Sequence, residues 1–403
     1  MSNATHPSSR TVLFGAFDRH NVGDLLFALI VARLLAPRDC LYAGLAARDM
    51  RAWGGEAVHA FGESAALSRD APLDVIHVGG ELLTCDAWEA TVMLAPPERV
   101  QAVIACENAW RRDPLAWART QLGVASRAPY VMSKAVYPHV EFGRIAFHAV
   151  GGVGLHRRDE AFRAEVFNAL KHADVVSVRD RQTQAQLHAQ GIDAPLVPDP
   201  VVMVAELFGE KIRARVSEDS VNAVLNAFGA GYIALQFDAT YGDDATLDLI
   251  AREIEKIVAQ SGFGIVLFRA GAAPWHDDID VYRRLAARVP RAPLALFSSL
   301  DIWDICALIA RCRAYCGSSL HGRIVAMAFA RPRVNLVHAD ENEPTPKQAA
   351  YAATWETHDM PATTTVEGLA QAVDQALRSD AALRQRTAAD LAARYRRAFE
   401  HTI

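Results

Sequence analysis

The sequence predicts an α/β protein of two Rossmann-like domains that face a central cleft. Its 403 residues exceed what one hydrophobic core usually supports. Short apolar runs alternate with longer helical patterns, which is typical of parallel sheets covered by helices. The alternation weakens near residues 200–230 and then restarts. We therefore predict an N-terminal domain over residues 1–205 and a C-terminal domain over residues 206–403, with the last helix able to pack back on the first domain.

Each predicted strand is a short apolar run that precedes a helical pattern or a glycine-containing turn. In the first domain these runs are 11–17, 74–80, 144–154 and 174–180. In the second domain they are 231–237, 263–271, 292–298, a strand ending near Gly317, and 331–337. Loops at the carboxyl ends of parallel strands usually carry the ligand site, so the loops after these runs are the places to look for chemistry.

Composition excludes several classes of protein. Hydrophobic residues make up 51% and charged residues 22%, which is a globular composition, and a net charge of -5 argues against nucleic-acid binding. The polar start MSNATHPSSR has no apolar run and does not look like a secretory signal, and no apolar run in the sequence reaches the roughly 18 residues of a membrane span. We therefore expect a cytoplasmic protein. The six cysteines form no CxxC pair, so we expect reduced, mostly buried thiols and no metal site.

The first strand-to-helix turn, GAFDRHNVGDLL, is a candidate anion site. Gly15 ends the strand, and Asn21 or Asp24 can cap the helix that follows. A helix N-terminus carries free N–H groups and a partial positive charge, both of which favour an anion. The turn has neither the GxGxxG pattern nor a Walker lysine, so an ordinary capped loop is the alternative.

Two glycine pairs follow the next strands. Gly79-Gly80 and Gly151-Gly152 would let the backbone approach a ligand closely. Glu81 directly follows the first pair. It is either a base that faces the cleft or a carboxylate that stabilises the start of a helix.

An arginine and an aspartate end the predicted strand DVVSVRD. Arg179 would point to the mouth of the cleft, where its planar fork suits a carboxylate or a phosphate. Asp180 would cap the next helix. The alternative is a surface pair between Arg179 and Asp180 that contributes little.

The stretch GSSLHGRIVAMAFARPRV carries the strongest signal. Ser318 or Ser319 can cap its helix, which places His321 and Arg323 in the first turn. Arg323 would clamp an anion, and a bound anion would favour a charged His321 that could act as a general acid. The alternative is a buried core histidine.

An earlier segment contains His276, Asp277 and Asp278, which are either metal ligands or helix caps. Capping by Asp277 or Asp278 is favoured because consecutive residues rarely converge on one ion.

Taken together, these segments resemble the polysaccharide pyruvyl transferase family. The resemblance rests on four segments in order: GAFDRHNVGDLL, DVIHVGGELL, DVVSVRDRQTQAQLHAQGI with VPDPV, and GSSLHGRIVAMAFARPRV. They span residues 11–336. Many members carry an arginine where this chain has Ser319; Arg323, two residues after the histidine, is the candidate replacement.

The resemblance implies a GT-B-like fold and an enzyme that transfers the enolpyruvyl-derived group of phosphoenolpyruvate to a sugar as a ketal. It implies catalytic roles for His321, Arg179 and Arg323, a glycan or lipid-linked sugar as acceptor, and no cofactor besides the donor. It leaves peripheral membrane association and the oligomeric state open. The remaining expected substrate-binding residues are Asn21, Asp24, Gly79, Gly80, Glu81, Gly151, Gly152, Asp180, Ser318 and Ser319. The alternatives are a nucleotide-sugar glycosyltransferase and a catalytically silent glycan-binding protein on the same scaffold.

Overall fold

The computed structural model describes residues 9–64, 71–338 and 345–402. Most of the polar N-terminal segment, on which the prediction of no secretory signal rests, lies outside the described residues. The chain divides into two compact units. The first contains the residues up to His20, then Asp24–Pro200 and the residues from Ala398 on; the second contains Asn21–Gly23 and Val201–Arg397.

A seven-stranded sheet forms the centre of the first unit. Its strands are β1 Arg10–Phe14, β2 Cys40–Gly44, β3 Arg48–Asp49, β4 Ala57–Ala60, β5 Leu73–Val78, β6 Phe142–Val150 and β7 Val175–Val178. They lie in the order β3-β4-β2-β1-β5-β6-β7, and only the β3–β4 pair is antiparallel. The sequence predicts β1, β5, β6 and β7 and misses β2, β3 and β4.

Eight α-helices begin before residue 200 in the part of the chain that the structure describes. They are α1 Val22–Leu35, α2 Phe61–Ser64, α3 Ala87–Leu94, α4 Val100–Ile104, α5 Glu107–Arg112, α6 Pro114–Leu122, α7 Glu160–Lys171 and α8 Arg181–His188. A capping box starts α3: the Asp86 carboxylate accepts the Glu89 N–H, while the Glu89 carboxylate accepts the Asp86 N–H.

The second unit is built on a six-stranded, fully parallel sheet. Its strands are β8 Tyr232–Gln236, β9 Gly264–Phe268, β10 Leu294–Phe297, β11 Ala314–Gly317, β12 Arg333–Leu336 and β13 Thr363–Thr364. Their order is β10-β9-β8-β11-β12-β13. The helices are α9 Val204–Arg215, α10 Asp219–Ala227, α11 Asp244–Ser261, α12 Ile279–Arg288, α13 Ile302–Arg311, α14 Leu320–Ala328, α15 Lys347–Trp355, α16 Leu369–Arg378 and α17 Ala381–Thr402.

Helices cover both faces of the second sheet, as alternating residues of β8 show. Ile233 and Leu235 belong to a buried core that includes residues of α11, α12 and α16. Tyr232 points to the other face, where its hydroxyl donates to the Leu308 carbonyl of α13 at 2.7 Å. Successive side chains of a strand point to opposite faces, so both faces of the sheet are buried, which is the rule for parallel sheets.

Each sheet has a point where the strand order reverses. In the first sheet β1 lies between β2 and β5, and in the second β8 lies between β9 and β11. The loops after β1 and β5, and after β8 and β11, therefore flank the two switch points at which α/β proteins usually bind ligands. The predicted α/β class with two parallel-sheet units is confirmed.

The prediction of mostly buried thiols is also confirmed. All six are free, and Cys85, Cys306, Cys312 and Cys316 are buried. Burial raises the pKa of the Cys40 thiol as well, so this half-buried cysteine is less reactive than an exposed one. Within residues 9–64, 71–338 and 345–402, no helix combines the length and the apolar character needed to cross a bilayer.

Candidate active site

The turn after β11 lies at the switch point of the second sheet and is held by the end of β8. Gly317 and Gln236 are paired in register across these two strands. The Gln236 Oε1 accepts a hydrogen bond from the Ser319 N–H at 2.8 Å. A Cβ on Gly317 would lie 2.5 Å from the Gln236 carbonyl oxygen, so only glycine allows this approach. The turn is therefore held in place by contacts within the protein.

The two serines of the turn have different roles. The Ser319 Oγ accepts the Gly322 N–H at 3.2 Å and caps α14, which resolves the choice that the sequence leaves open. The Ser318 Oγ instead accepts the Asp238 N–H, at 3.1 Å, in the loop after β8. The two loops of the switch point are therefore joined through Ser318.

His321 is the second residue of α14 and is only 8% exposed. Its ring lies against Gly23, which belongs to the same unit; a Cβ on Gly23 would lie 2.0 Å from the ring atoms Cγ and Nδ1. Two hydrogen bonds hold the segment that carries Gly23. The Val22 N–H donates to the Ala270 carbonyl at 2.9 Å, and the Asn21 Oδ1 accepts the Gly23 N–H at 3.0 Å. His321 thus has a defined position at a helix N-terminus.

Arg323 does not have the free guanidinium that an anion clamp needs. It is fully buried, and Nη2 donates to the Glu356 Oε2 at 2.6 Å. Nη1 donates to the Ala362 carbonyl at 2.8 Å, and Nη2 also donates to the Pro361 carbonyl at 3.1 Å. Arg333, likewise fully buried, makes two further hydrogen bonds to Glu356. Arg323 therefore stabilises the second unit, which is a different role from the one expected from the sequence.

Arg179 lies at the centre of a buried ion-pair cluster in the first unit. Its Nη2 donates to the Glu81 Oε2 at 2.7 Å, and its Nη1 donates to the Asp199 Oδ2 at 3.0 Å. The side chains of Arg179 and Asp199 are 2% and 0% exposed, whereas that of Glu81 is 20% exposed. Burial opposes the charge of Arg179, but Glu81 and Asp199 raise the pKa of its guanidinium above the ordinary value.

Asp180, the neighbour of Arg179, has another role, although its charge also raises the pKa of Arg179. Asp180 caps α8: its Oδ1 accepts the Thr183 N–H at 2.7 Å, and its Oδ2 accepts the Thr183 hydroxyl at 2.9 Å. Burial, and then the Glu81 charge, raise the pKa of Asp180. The surface Arg–Asp pair that was the alternative for this segment is wrong, because the Arg179 pairs are buried and lie elsewhere.

The second glycine pair makes room for this cluster. A Cβ on Gly151 would lie 2.4 Å from the Glu81 Oε2 and 2.7 Å from the Arg179 Nε. The Gly152 N–H donates to the Thr183 Oγ1 at 3.0 Å, so this glycine contacts the start of α8. The two glycines therefore contact side chains of the protein itself.

The first glycine pair brings the loop after β5 into contact with α1. Gly79 and Gly80 have φ values of 67° and 82°, which side chains rarely adopt. A Cβ on Gly79 would lie 2.9 Å from the Phe27 ring, and the Gly80 carbonyl accepts the Gly151 N–H at 2.7 Å. Asp24, in the first turn of α1, lies 3.7 Å from the Arg19 guanidinium.

Sequence reasoning missed a polar cluster in the loop after β1. The Tyr130 hydroxyl donates to the Asp18 Oδ1 at 3.0 Å and accepts a hydrogen bond from the Arg19 Nη1 at 3.1 Å. Asp18 also accepts the N–H groups of Leu45 and Ala46. Asp18 and Arg19 lie in the motif GAFDRHN, which is the signal that points to them. Tyr130 is 112 positions from Asp18, and no local pattern marks it.

The segment with His276, Asp277 and Asp278 supports the switch point of the second sheet. The Asp277 Oδ2 accepts the Ala270 N–H at 2.5 Å, and its Oδ1 accepts the Gln236 Nε2 at 2.7 Å. Asp278, and not Asp277, caps α12. In the part of the chain that the structure describes, no group of three His, Cys, Asp or Glu side chains is placed to hold a metal ion.

Comparison with known proteins agrees with this architecture. The UDP-GlcNAc 2-epimerase of Methanocaldococcus jannaschii has a TM-score of 0.51 at 11% identity, with 92% of each chain covered. A putative UDP-N-acetylglucosamine 2-epimerase of Listeria monocytogenes has a TM-score of 0.50 at 13% identity, with 98% of each chain covered. At 11% and 13% sequence identity these similarities concern the fold alone. The fold of the chain is GT-B-like. No curated protein matches the chain in sequence.

A comparison of the sequence with models of protein families identifies the family of this chain. The model of the family "Polysaccharide pyruvyl transferase" matches residues 125–340, which is more than half of the chain and includes both Arg179 and His321. The chain therefore belongs to the polysaccharide pyruvyl transferase family, and the resemblance seen in its motifs is confirmed.

Proposed function

We propose that this chain transfers a pyruvyl group from phosphoenolpyruvate to a sugar of a cell-surface or secreted polysaccharide, where it forms a ketal. The observation that carries the proposal is the position of His321. It lies in the first turn of α14, after the switch-point strand β11, and inside the stretch that matches the family. The backbone N–H groups of such a turn attract a phosphate or a carboxylate, and phosphoenolpyruvate carries both.

His321 is the proposed general acid. It gives a proton to the methylene carbon of phosphoenolpyruvate while a sugar hydroxyl attacks the neighbouring carbon. The bond from that carbon to the phosphate oxygen then breaks, and a second hydroxyl of the sugar attacks to close the ketal. The two hydroxyls lose two protons: one restores His321 and the other leaves with the phosphate. The reaction needs no cofactor in this scheme.

The two arginines act through other residues in this proposal. Arg323 is enclosed by Glu356 and backbone carbonyls, so it contributes to the stability of the second unit. Arg179 is a positioning residue for Glu81, whose carboxylate is partly exposed. Glu81 is held on its other side by the Val153 N–H at 2.7 Å.

Replacing His321 tests the proposal directly. His321→Ala should lower pyruvyl transfer by about 10²- to 10⁴-fold, which is the usual contribution of a general acid. The assay follows phosphate release and the ketal methyl signal in NMR spectra, with phosphoenolpyruvate and a panel of methyl hexosides. His358→Ala, a change at an exposed histidine of the same unit, is the control and should keep full activity. Unchanged turnover in His321→Ala would remove His321 from the mechanism.

A donor screen by thermal stability distinguishes the alternatives. Stabilisation by phosphoenolpyruvate supports the proposal. Stabilisation by a UDP- or GDP-sugar alone would favour a nucleotide-sugar glycosyltransferase. A protein that binds a glycan but shows no turnover with any donor would be the catalytically silent form.

A further inference from the structure

A cavity lies in the C-terminal unit, at the opposite end of the strands from His321. Its volume is about 370 Å³, which is within the range of small-molecule sites. Arg313 precedes β11 and Arg331 precedes β12 by two residues, so the cavity opens at the amino ends of these strands. His321 follows the carboxyl end of β11. The two places are therefore separated by the length of a strand.

Three guanidinium groups line this cavity: those of Arg313, Arg331 and Arg384. Asp374 is the carboxylate among the lining residues, and it already pairs with Arg378 at 2.9 Å. The cavity therefore has an excess of positive charge, and an anion inside it would be attracted by all three arginines.

The arginines are oriented by neutral groups. The Arg313 Nε donates to the Ala230 carbonyl at 3.2 Å, and the Arg384 Nε donates to the Ala330 carbonyl at 2.9 Å. Arg331 differs from both. Its Nε is buried, and no described residue accepts a hydrogen bond from it. A buried donor without an acceptor costs free energy that a bound ligand would recover.

The arginines also repel each other. Burial lowers the pKa of the Arg384 guanidinium, and the charges of Arg333 and Arg331 lower it further, against the opposing charges of Asp359 and Asp380. Three arginines in a cavity whose lining residues include one carboxylate are typical of sites for multiply charged anions.

The rest of the cavity wall contains apolar residues beside the polar Gln260 and Ser261. Ile257, Val373 and Leu377 supply aliphatic surface, and Phe263 carries the Arg313 guanidinium over its ring, 5.4 Å from the centroid. A bare inorganic anion would leave this wall uncovered. A ligand with a charged head and an apolar or ring-shaped body would cover both parts.

We propose that this cavity binds an organic phosphate, with the phosphate group at Arg331, Arg384 and Arg313 and the body of the ligand on the wall of Ile257, Phe263, Val373 and Leu377. The ligand is either a soluble phosphate ester or the phosphate headgroup of a lipid. Planar guanidinium groups bind a phosphate dianion through paired hydrogen bonds, and three of them match its charge better than that of a single carboxylate.

Phenyl phosphate is the soluble probe for this site, and titration calorimetry with the full chain is the measurement. The native protein should bind phenyl phosphate more tightly than inorganic phosphate, because only the ester reaches the apolar wall. Arg331→Gln should weaken the binding at least tenfold. Arg291→Gln removes an equal charge from an exposed position of the same unit outside the cavity and should bind like the native protein. Equal affinity in Arg331→Gln would overturn the proposal.

Two further arms make the test specific. His321→Ala should keep the full affinity for phenyl phosphate; loss of binding there would place the probe at the candidate active site and contradict the proposal. Arg313→Gln, at an exposed arginine, repeats the test if Arg331→Gln does not fold.

Vesicles of phosphatidylcholine with phosphatidic acid distinguish a lipid headgroup from a soluble phosphate ester as the ligand. Arg331-dependent binding to these vesicles assigns the site to a lipid headgroup, and binding of phenyl phosphate alone assigns it to a soluble ester.

Discussion

The imidazole ring of His321 lies directly against the Cα of Gly23. A Cβ built on Gly23 would be 2.0 Å from two ring atoms, a distance that no pair of non-bonded atoms tolerates. Gly23 is near the start of α1, where alanine is otherwise a better helix former than glycine. The glycine is therefore required by the position of His321 and not by the helix that contains it.

Gly23→Ala should consequently impair catalysis more than folding. The added methyl group must displace the His321 ring, and a displacement of about 1 Å in a catalytic group can cost up to about 100-fold in rate. We expect pyruvyl transfer to fall by about 10- to 100-fold while the circular dichroism spectrum stays unchanged. Gly229→Ala is the control, since a Cβ there meets nothing within 4 Å. If both variants turn over alike, the His321 ring does not need its present position.

We predict that replacing Arg179 lowers the free energy of unfolding strongly. Arg179→Met removes the guanidinium that pairs with the fully buried Asp199 and with Glu81. Breaking a buried ion pair by removing one partner usually costs about 3 to 5 kcal/mol. Urea unfolding should show this loss in Arg179→Met and a smaller one in Arg179→Lys, which keeps the charge without the planar fork.

The control for Arg179 is Arg119→Met, at an exposed position of α6. Exposed substitutions usually change the free energy of unfolding by less than about 0.5 kcal/mol. A loss in Arg179→Met as small as that in Arg119→Met would mean that the cluster with Glu81 and Asp199 is not a stabilising element.

A variant of Arg323 tests whether this arginine has a structural role or binds a ligand. Arg323→Lys should lower the free energy of unfolding, because one ammonium group cannot replace the contacts to Glu356, Ala362 and Pro361. The rise in melting temperature caused by phosphoenolpyruvate should stay the same as in the native protein. A variant of native stability that no longer responds to phosphoenolpyruvate would instead restore Arg323 as the anion clamp.

Local patterns were sufficient to predict much of this fold and part of the site. The strands β1, β5, β8 and β11 are apolar runs that end in glycine or polar residues, so their positions, and with them the place of His321, follow from the sequence. The strands β2 and β4 were missed, and both are only partly buried.

The partners of the arginines could not be predicted in this way. Glu356 is 33 positions from Arg323, and Glu81 is 98 positions from Arg179. An arginine after a strand looks the same in sequence whether it faces a ligand or a buried carboxylate. Only the fold brings the carboxylate to it, and this decides whether the guanidinium is available.

The buried side chain of His77 should make the stability of the protein depend on pH. Its ring is fully buried in β5 and is stacked on Phe147 at 3.8 Å. The Nε2 accepts the Met132 N–H at 3.0 Å, which assigns the proton to Nδ1, 3.0 Å from the Ala146 carbonyl oxygen. Burial lowers the pKa of His77 to about 3, although the hydrogen bond to Ala146 opposes this shift. Protonation would break the bond from Met132 and place a charge in the core.

The sign of the effect follows from the lowered pKa. Between pH about 6.5, where an unfolded histidine titrates, and pH about 3, the unfolded chain binds more protons than the folded one. Stability should therefore fall as the pH drops below about 6.5, by up to about 1.4 kcal/mol per pH unit from this residue. His77→Gln should reduce the loss measured by urea unfolding between pH 7.5 and pH 5. Part of the loss should remain, because burial also lowers the pKa of His148 to about 4.

The exposed His59 of β4 supplies the comparison for this last experiment. His59→Gln should keep the pH dependence of the native protein, because it changes an exposed residue outside the core. The quantity to compare is the change in the free energy of unfolding between pH 7.5 and pH 5, and not its value at either pH. His77→Gln should show a weaker dependence of stability on pH than His59→Gln; equal slopes would show that the neutral imidazole of His77 is not the acid-sensitive group.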